Sequence, residues 1–142
     1  MNIVLLDSCI VIDYIKDIES IKSQVARIER PCINFIVEME LMQGAENKRE
    51  LSKIRKGLSS FNRLDFHNEI AKLSTHLIKD YVLSHNLQIA DSIIAATALV
   101  YDIPLYTHNK KDFRFIPKLK FHEVQDVHRE KAESGTDKKI TF

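Results

Sequence analysis

Four places along the chain put a carboxylate at the start or end of a segment that is otherwise apolar. Asp7 closes the run 3–6, Glu38 and Glu40 stand in a helix opening near Asn34, Asp91 heads an apolar helix, and Asp112 ends the polar loop 107–112. Bare carboxylates brought close together repel and resist ionising together, and a divalent cation resolves that conflict. Oxygen-only ligands favour Mg²⁺ or Mn²⁺ over zinc, and a Mg²⁺ held by a few carboxylates keeps waters and prefers phosphate oxygens for its remaining positions. The chemistry this suits is metal-assisted phosphodiester hydrolysis. Taken singly each acid has a plainer reading, because Asp at a helix start is usually a cap and Asn109 with Asp112 can simply build a turn. The weight lies in the set of four.

Such a set needs elements that deliver it to one edge. Residues 3–6 form a continuous apolar run, the pattern of a strand covered on both faces, so Asp7 marks a strand's carboxyl end. Apolar positions at spacings of three and four then predict a helix from Cys9 to Ile28, broken near Asp17 and stopped by Pro31, followed by a strand at 32–35. The helix opening near Asn34 carries Val37, Leu41, Met42 and Ala45 on its apolar side. At about 100° per residue Glu38 and Glu40 point to nearly opposite sides, so at most one of them faces a shared site. Further helices are expected at 48–60 and 68–85, strands at 64–66, 103–106 and 119–121, and the apolar helix from Asp91 to before Pro104. Alternating short strands and helices predict an α/β fold: a single three-layer α/β/α domain with a short-stranded, mostly parallel central sheet over residues 1–125. Residues 126–142 are polar and are expected to form a flexible tail. In open α/β sheets ligands bind at the carboxyl edge, and an anion in the first turn of a helix is favoured by unpartnered N–H groups.

The 142 residues suit one domain with a sizeable core, and 44% hydrophobic with 29% charged residues describes an ordinary globular chain. No apolar run approaches the roughly 20 residues of a membrane helix, and the first residues lack the basic stretch of a signal peptide, so a cytoplasmic protein without membrane contact is expected. Cys9 and Cys32 have no metal-site spacing and read as small buried hydrophobes. His67, His76 and His85 recur every nine residues along one helix, but neighbours then face opposite sides and the outer two lie about 27 Å apart, which rules out a shared metal. Net charge is +1, so local charge is more informative than the total. Lys48, Arg49, Lys53, Arg55 and Lys56 crowd one helix. The commoner meaning is a solvated face, and the functional one is a phosphate track for RNA, with Lys53, Arg55 and Lys56 as its candidates.

With these residues in place the chain resembles the PIN domains, and among them the VapC-type toxins of toxin–antitoxin modules. Leu5-Leu6-Asp7-Ser8 is similar to the family's opening strand and first acid, and Glu40-Leu41-Met42-Gln43-Gly44-Ala45 to its Glu-Leu-x-x-Gly helix. The stretch 90–98, Ala-Asp-Ser-Ile-Ile-Ala-Ala-Thr-Ala, resembles its most recognisable helix, and 107–113 its Thr-x-Asn-x-x-Asp-Phe loop. The resemblance implies that Asp7, Glu40, Asp91 and Asp112 hold a Mg²⁺ or Mn²⁺ and serve catalysis, with Ser8, Thr107 and Asn109 in support. It also selects Glu40 over Glu38. Three positions depart from the pattern: Val37 where a hydroxyl residue is usual, His108 where Arg is frequent, and Cys9 where a small polar residue is common.

The expectation is therefore a metal-dependent endoribonuclease acting as a toxin, with RNA as substrate, a small cognate antitoxin as partner and a homodimer as assembly. The alternative is a non-catalytic RNA-binding or scaffold domain of the same fold, which the retention of all four acids argues against. A phosphotransfer domain would want paired acids at the first strand, where Asp7-Ser8-Cys9 has one.

Overall fold

The computed structural model describes residues 2–124; the tail expected at 126–142 lies outside them. The order of elements is β1 (Ile3–Leu6), α1 (Ser8–Ile15), α2 (Glu19–Ala26), β2 (Arg30–Ile33), α3 (Phe35–Gln43), α4 (Lys48–Leu58), β3 (Asn62–Arg63), α5 (Asn68–His85), α6 (Ile89–Tyr101) and β4 (Leu105–Tyr106), followed by a 3₁₀ turn at Lys110–Asp112. The sheet runs β3-β2-β1-β4 with every pairing parallel. Right-handed crossovers dictate the layers. The steps from β1 to β2 to β3 move one way along the sheet and put α1–α4 on one face. The return from β3 to β4, on the other side of β1, puts α5 and α6 on the opposite face. Between β1 and β4 the direction of travel reverses, and the carboxyl ends of these two strands form the crevice where such folds bind ligands.

Local chemistry sets the element ends. Asp17 adopts a left-handed φ of 61°, which breaks the long helix expected from Cys9 to Ile28 where it was predicted to break. The strand expected at 32–35 instead occupies Arg30–Ile33, because the Asn34 side chain accepts the Val37 N–H at 3.1 Å and starts α3. Pro31 is tolerated in it since its nitrogen faces away from β1, and β3 begins to pair only opposite Cys32. β3 itself falls at Asn62–Arg63, ahead of the expected 64–66. Its ladder ends with the Leu64 N–H on the Ile33 carbonyl, after which Phe66 turns outward. β4 is shorter than the predicted 103–106 because Asp102 takes a left-handed conformation and the Ile103 N–H closes α6 on the Ala98 carbonyl. The last expected strand, 119–121, is reduced to a single bridge between Leu105 and Phe121. α5 has the predicted bounds.

The core is built from β1, with Val4, Leu5 and Leu6 fully buried, the apolar sides of α1 and α6, and Phe113 sealing the end beyond β4. Among the described residues no helix is long and apolar enough to cross a membrane.

Candidate functional site

The four predicted acids start from four different elements, and the structure treats them differently. Asp7 is the residue between β1 and α1, and its backbone N–H continues the β1–β4 ladder onto the Tyr106 carbonyl at 2.9 Å. Its carboxylate is 2% exposed. Oδ1 accepts the Ser8 N–H at 2.8 Å, which caps α1, and Oδ2 accepts the Thr107 hydroxyl at 2.8 Å. Thr107 Oγ1 in turn accepts the Asn109 N–H at 3.0 Å, so the loop after β4 is tied to the acid after β1. Three residues named by the sequence pattern as supporting groups, Ser8, Thr107 and Asn109, thus form one buried unit around Asp7.

Cys9 joins that unit. Its Sγ lies 3.7 Å from both Asp7 Oδ2 and Thr107 Oγ1. Burial first, and then the Asp7 carboxylate, push its pKa up to about 12, so the thiol is neutral at any physiological pH and adds no charge beside Asp7.

The two glutamates of α3 differ in their surroundings. Glu38 takes a two-pronged ion pair with Arg63 of β3, through Arg63 Nε and, at 3.0 Å, Nη2, and so plays the paired surface role. Glu40 instead turns toward the carboxyl edge. Its Oε1 is shielded from solvent, and Glu40 lines a pocket of about 190 Å³ with Ser8, Ile12, Leu41, Gln43 and Gly44. Asp91 is 7% exposed in the first turn of α6. That helix starts two residues earlier than expected, so Asp91 is its third residue; the cap position falls to Gln88, whose side chain makes no capping bond. Asp112 is exposed at the end of the 3₁₀ turn. Among the described residues no three His, Cys, Asp or Glu side chains gather into a group that could hold a metal ion.

Two buried polar pairs around these acids escape the sequence pattern. Asn34 Nδ2 donates to Thr97 Oγ1 at 3.1 Å while Thr97 donates to the Ile93 carbonyl at 2.7 Å. This locks the head of α3, which carries Glu40, against α6, which carries Asp91. His108 Nε2 lies 2.9 Å from Asp13 Oδ2, with the two side chains 16% and 8% exposed, and it pins the β4 loop to α1. The available hint was that Asp13 interrupts an otherwise apolar helix. A buried acid in such a place needs a partner.

The candidate phosphate track on α4 faces outward. Ile54 and Leu58 are buried, and Lys48, Arg49, Lys53, Arg55 and Lys56 are exposed on the remaining arc. Its carboxyl half lies at the end of α1 remote from Asp7, since Gly57 packs on Ile15 and the Lys53 charge is felt by Asp17.

A model of the PIN domain family matches residues 4–119. The protein named Ribonuclease VapC of Rickettsia bellii (strain RML369-C) is 39% identical over 98 residues, which are 61% of this chain and 71% of that protein. Among solved structures, a toxin–antitoxin complex from Klebsiella pneumoniae matches with 32% identity and a TM-score of 0.67, covering 82% of this chain and 94% of that one. DNA-bound VapBC from Salmonella typhimurium matches with 26% identity and a TM-score of 0.74, covering 86% and 98%.

Proposed function

The chain belongs to the PIN domain family, and from that premise we propose that it is an endoribonuclease, the toxin of a toxin–antitoxin pair, working with a divalent cation at the carboxyl edge of β1 and β4. The observation that carries this reading is the buried Asp7 carboxylate, held by Ser8 and Thr107 at the point where the sheet reverses direction. The relatives named as a ribonuclease and as toxin–antitoxin assemblies support the reaction class and the partner.

The donor set fits a hard cation. The candidate ligands are all carboxylate oxygens, Asp7 and Asp91 are buried, and the one sulfur nearby is a neutral thiol. A Mg²⁺ or Mn²⁺ bound through one or two carboxylates, with water and phosphate oxygens completing its shell, does not need three protein ligands gathered in advance. We assign Asp7, Glu40 and Asp91, and Asp112 from the exposed rim, to the cation directly or through water. When bound, the cation supplies polarisation of the phosphoryl group and a more acidic water. The protein's own contribution is placement. Thr107 and Ser8 hold both Asp7 oxygens in fixed directions, Asn109 holds Thr107, and the Asn34–Thr97 bond keeps Glu40 and Asp91 at a constant separation. Labelled RNA incubated with Mg²⁺, with Mn²⁺ and with chelator tests the reading: cleavage that needs a divalent cation is expected, and cleavage indifferent to chelator would overturn the metal role.

We place the RNA backbone on the exposed face of α4. Replacing Lys53, Arg55 and Lys56 by Ala is expected to weaken RNA binding and to reduce the slope of log affinity against log salt by up to about 2, given about 0.7 per phosphate contact on a single strand. An unchanged slope would return these residues to the role of a solvated face. The partner protein is expected to offer Arg or Lys to the acidic edge, so that added Mg²⁺ weakens the complex. A homodimer belongs to the same proposal, and light scattering that finds a monomer at all concentrations would remove it.

A further inference from the structure

Beyond the acids, the same end of the molecule carries an aromatic stack that the hydrolytic machinery does not use. His85, the last residue of α5, lies parallel to Phe115 with ring centroids 4.0 Å apart and planes 12° from parallel. Tyr81 meets Phe115 at 5.1 Å and His85 at 5.9 Å in tilted and edge-on contacts. Phe115 and Tyr81 rest on the core, whereas His85 stays exposed despite the stack.

Two lines of geometry bring this stack to the acidic edge. Residues 109–116 form one hydrogen-bonded series of turns, in which the Phe113 and Arg114 N–H groups return to the Lys110 carbonyl and the Ile116 N–H to that of Phe113. Phe115 therefore follows Asp112 by three residues within one hydrogen-bonded series of turns. On the other side of the stack, α5 ends at His85 and α6 begins at Ile89, with Asp91 in its first turn. The stack thus joins the segment that carries Asp112 to the end of α5, which leads directly into the first turn of α6 with Asp91. Flanking it, Lys111 and Arg114 are exposed. Cations interleaved with a ring platform are the composition that grips single-stranded nucleic acid, cations on phosphate and rings on bases.

Resting on the ribonuclease reading above, we propose that His85, backed by Phe115, is a stacking platform for one unpaired base of the RNA next to the scissile phosphate, with Lys111 and Arg114 on the adjoining backbone. The substrate is accordingly single-stranded at that point, since a base inside a duplex cannot lie on a side-chain ring. The exposed apolar side chain of Leu83 belongs to a different surface: two residues from His85 on a helix is a turn of about 200°, which places it on the far side of α5.

The test uses single-stranded RNA oligonucleotides of one sequence, intact or with a single abasic nucleotide moved through each position, bound in chelator to wild type, His85→Ala and His85→Phe. Wild type is expected to lose about 5- to 100-fold in affinity when one particular position is abasic. His85→Ala should lose a similar factor on intact RNA and show no further loss at that position. His85→Phe should keep the abasic penalty, because a phenyl ring still stacks. A purely structural role for His85 would weaken intact and abasic RNA by the same factor, and would overturn the proposal. Unchanged RNA binding by His85→Ala would also overturn it and leave the stack to a protein partner. Wild-type protein that binds no RNA in chelator and cleaves none with Mg²⁺ or Mn²⁺ would instead defeat the ribonuclease reading, and this one with it.

Discussion

Asp7→Asn is expected to lower RNA cleavage by at least about 100- to 1000-fold while costing the fold only about 1–3 kcal/mol, the one figure from losing a carboxylate that holds the cation and the other from losing one charge-assisted hydrogen bond. The substitution changes neither shape nor backbone, and Asn caps a helix about as well as Asp, so α1 should keep its start. The carboxylate accepts twice, from the Ser8 N–H and from the Thr107 hydroxyl, whereas an amide offers one accepting oxygen and one donating nitrogen. One of those donors must lose its acceptor. If the oxygen stays on Ser8, the Thr107 hydroxyl is left with Cys9 Sγ at 3.7 Å, a poor substitute, and the loop 107–112 loosens. Cleavage at saturating Mg²⁺, read beside a thermal melt, separates the two effects. A variant that kept more than about a tenth of the activity would remove Asp7 from the reaction.

Asp91→Asn should also abolish cleavage, and its second signature is thermodynamic. In chelator two terms oppose one another. Losing the anion from the first turn of α6 costs about 0.3–1 kcal/mol, and relieving repulsion among the acids of the edge returns a comparable amount. The fold of the variant should therefore stay within about 1 kcal/mol of wild type, or gain slightly. Mg²⁺ reverses the order. A cation that binds only the folded protein stabilises it by about 2.7 kcal/mol at a hundred times its dissociation constant, and a variant lacking one of the carboxylates receives less. Melts of both proteins in chelator and in saturating Mg²⁺ check this, and an equal Mg²⁺ shift in the two would place Asp91 outside the cation's reach. Gln88, the cap of α6, makes no side-chain bond to the helix, so a large loss in chelator would mean that Asp91 itself serves as the anchor of that terminus.

Much of the fold is legible in local pattern. The run Ile3–Leu6 has the pattern of a covered strand, the three-and-four spacing marks α5 as a helix, and the break at Asp17 follows from a polar interruption. The strands that were displaced or shortened are those whose ends depend on something non-local. β2 ends where Asn34 turns to cap α3, β3 where the neighbouring ladder stops, and β4 waits until Ile103 has finished closing α6. The same division runs through the site. The acid types and their motifs stand in the chain itself, but Glu38 and Glu40 are equivalent by composition until Arg63, 25 residues away, claims one of them.

By itself, then, the sequence determined the alternation of strands and helices, the parallel sheet that follows from it, the family resemblance and the oxygen-only character of the candidate ligands. Only the tertiary structure decided which polar groups meet. Asp7 and Thr107 are separated by 100 residues, Asp13 and His108 by 95, and Asn34 and Thr97 by 63. Periodicity along a chain reports which face of an element is apolar, and that much is local. Which residue of one element lies opposite which residue of another depends on strand register, crossover and packing, and these are settled by the whole core at once.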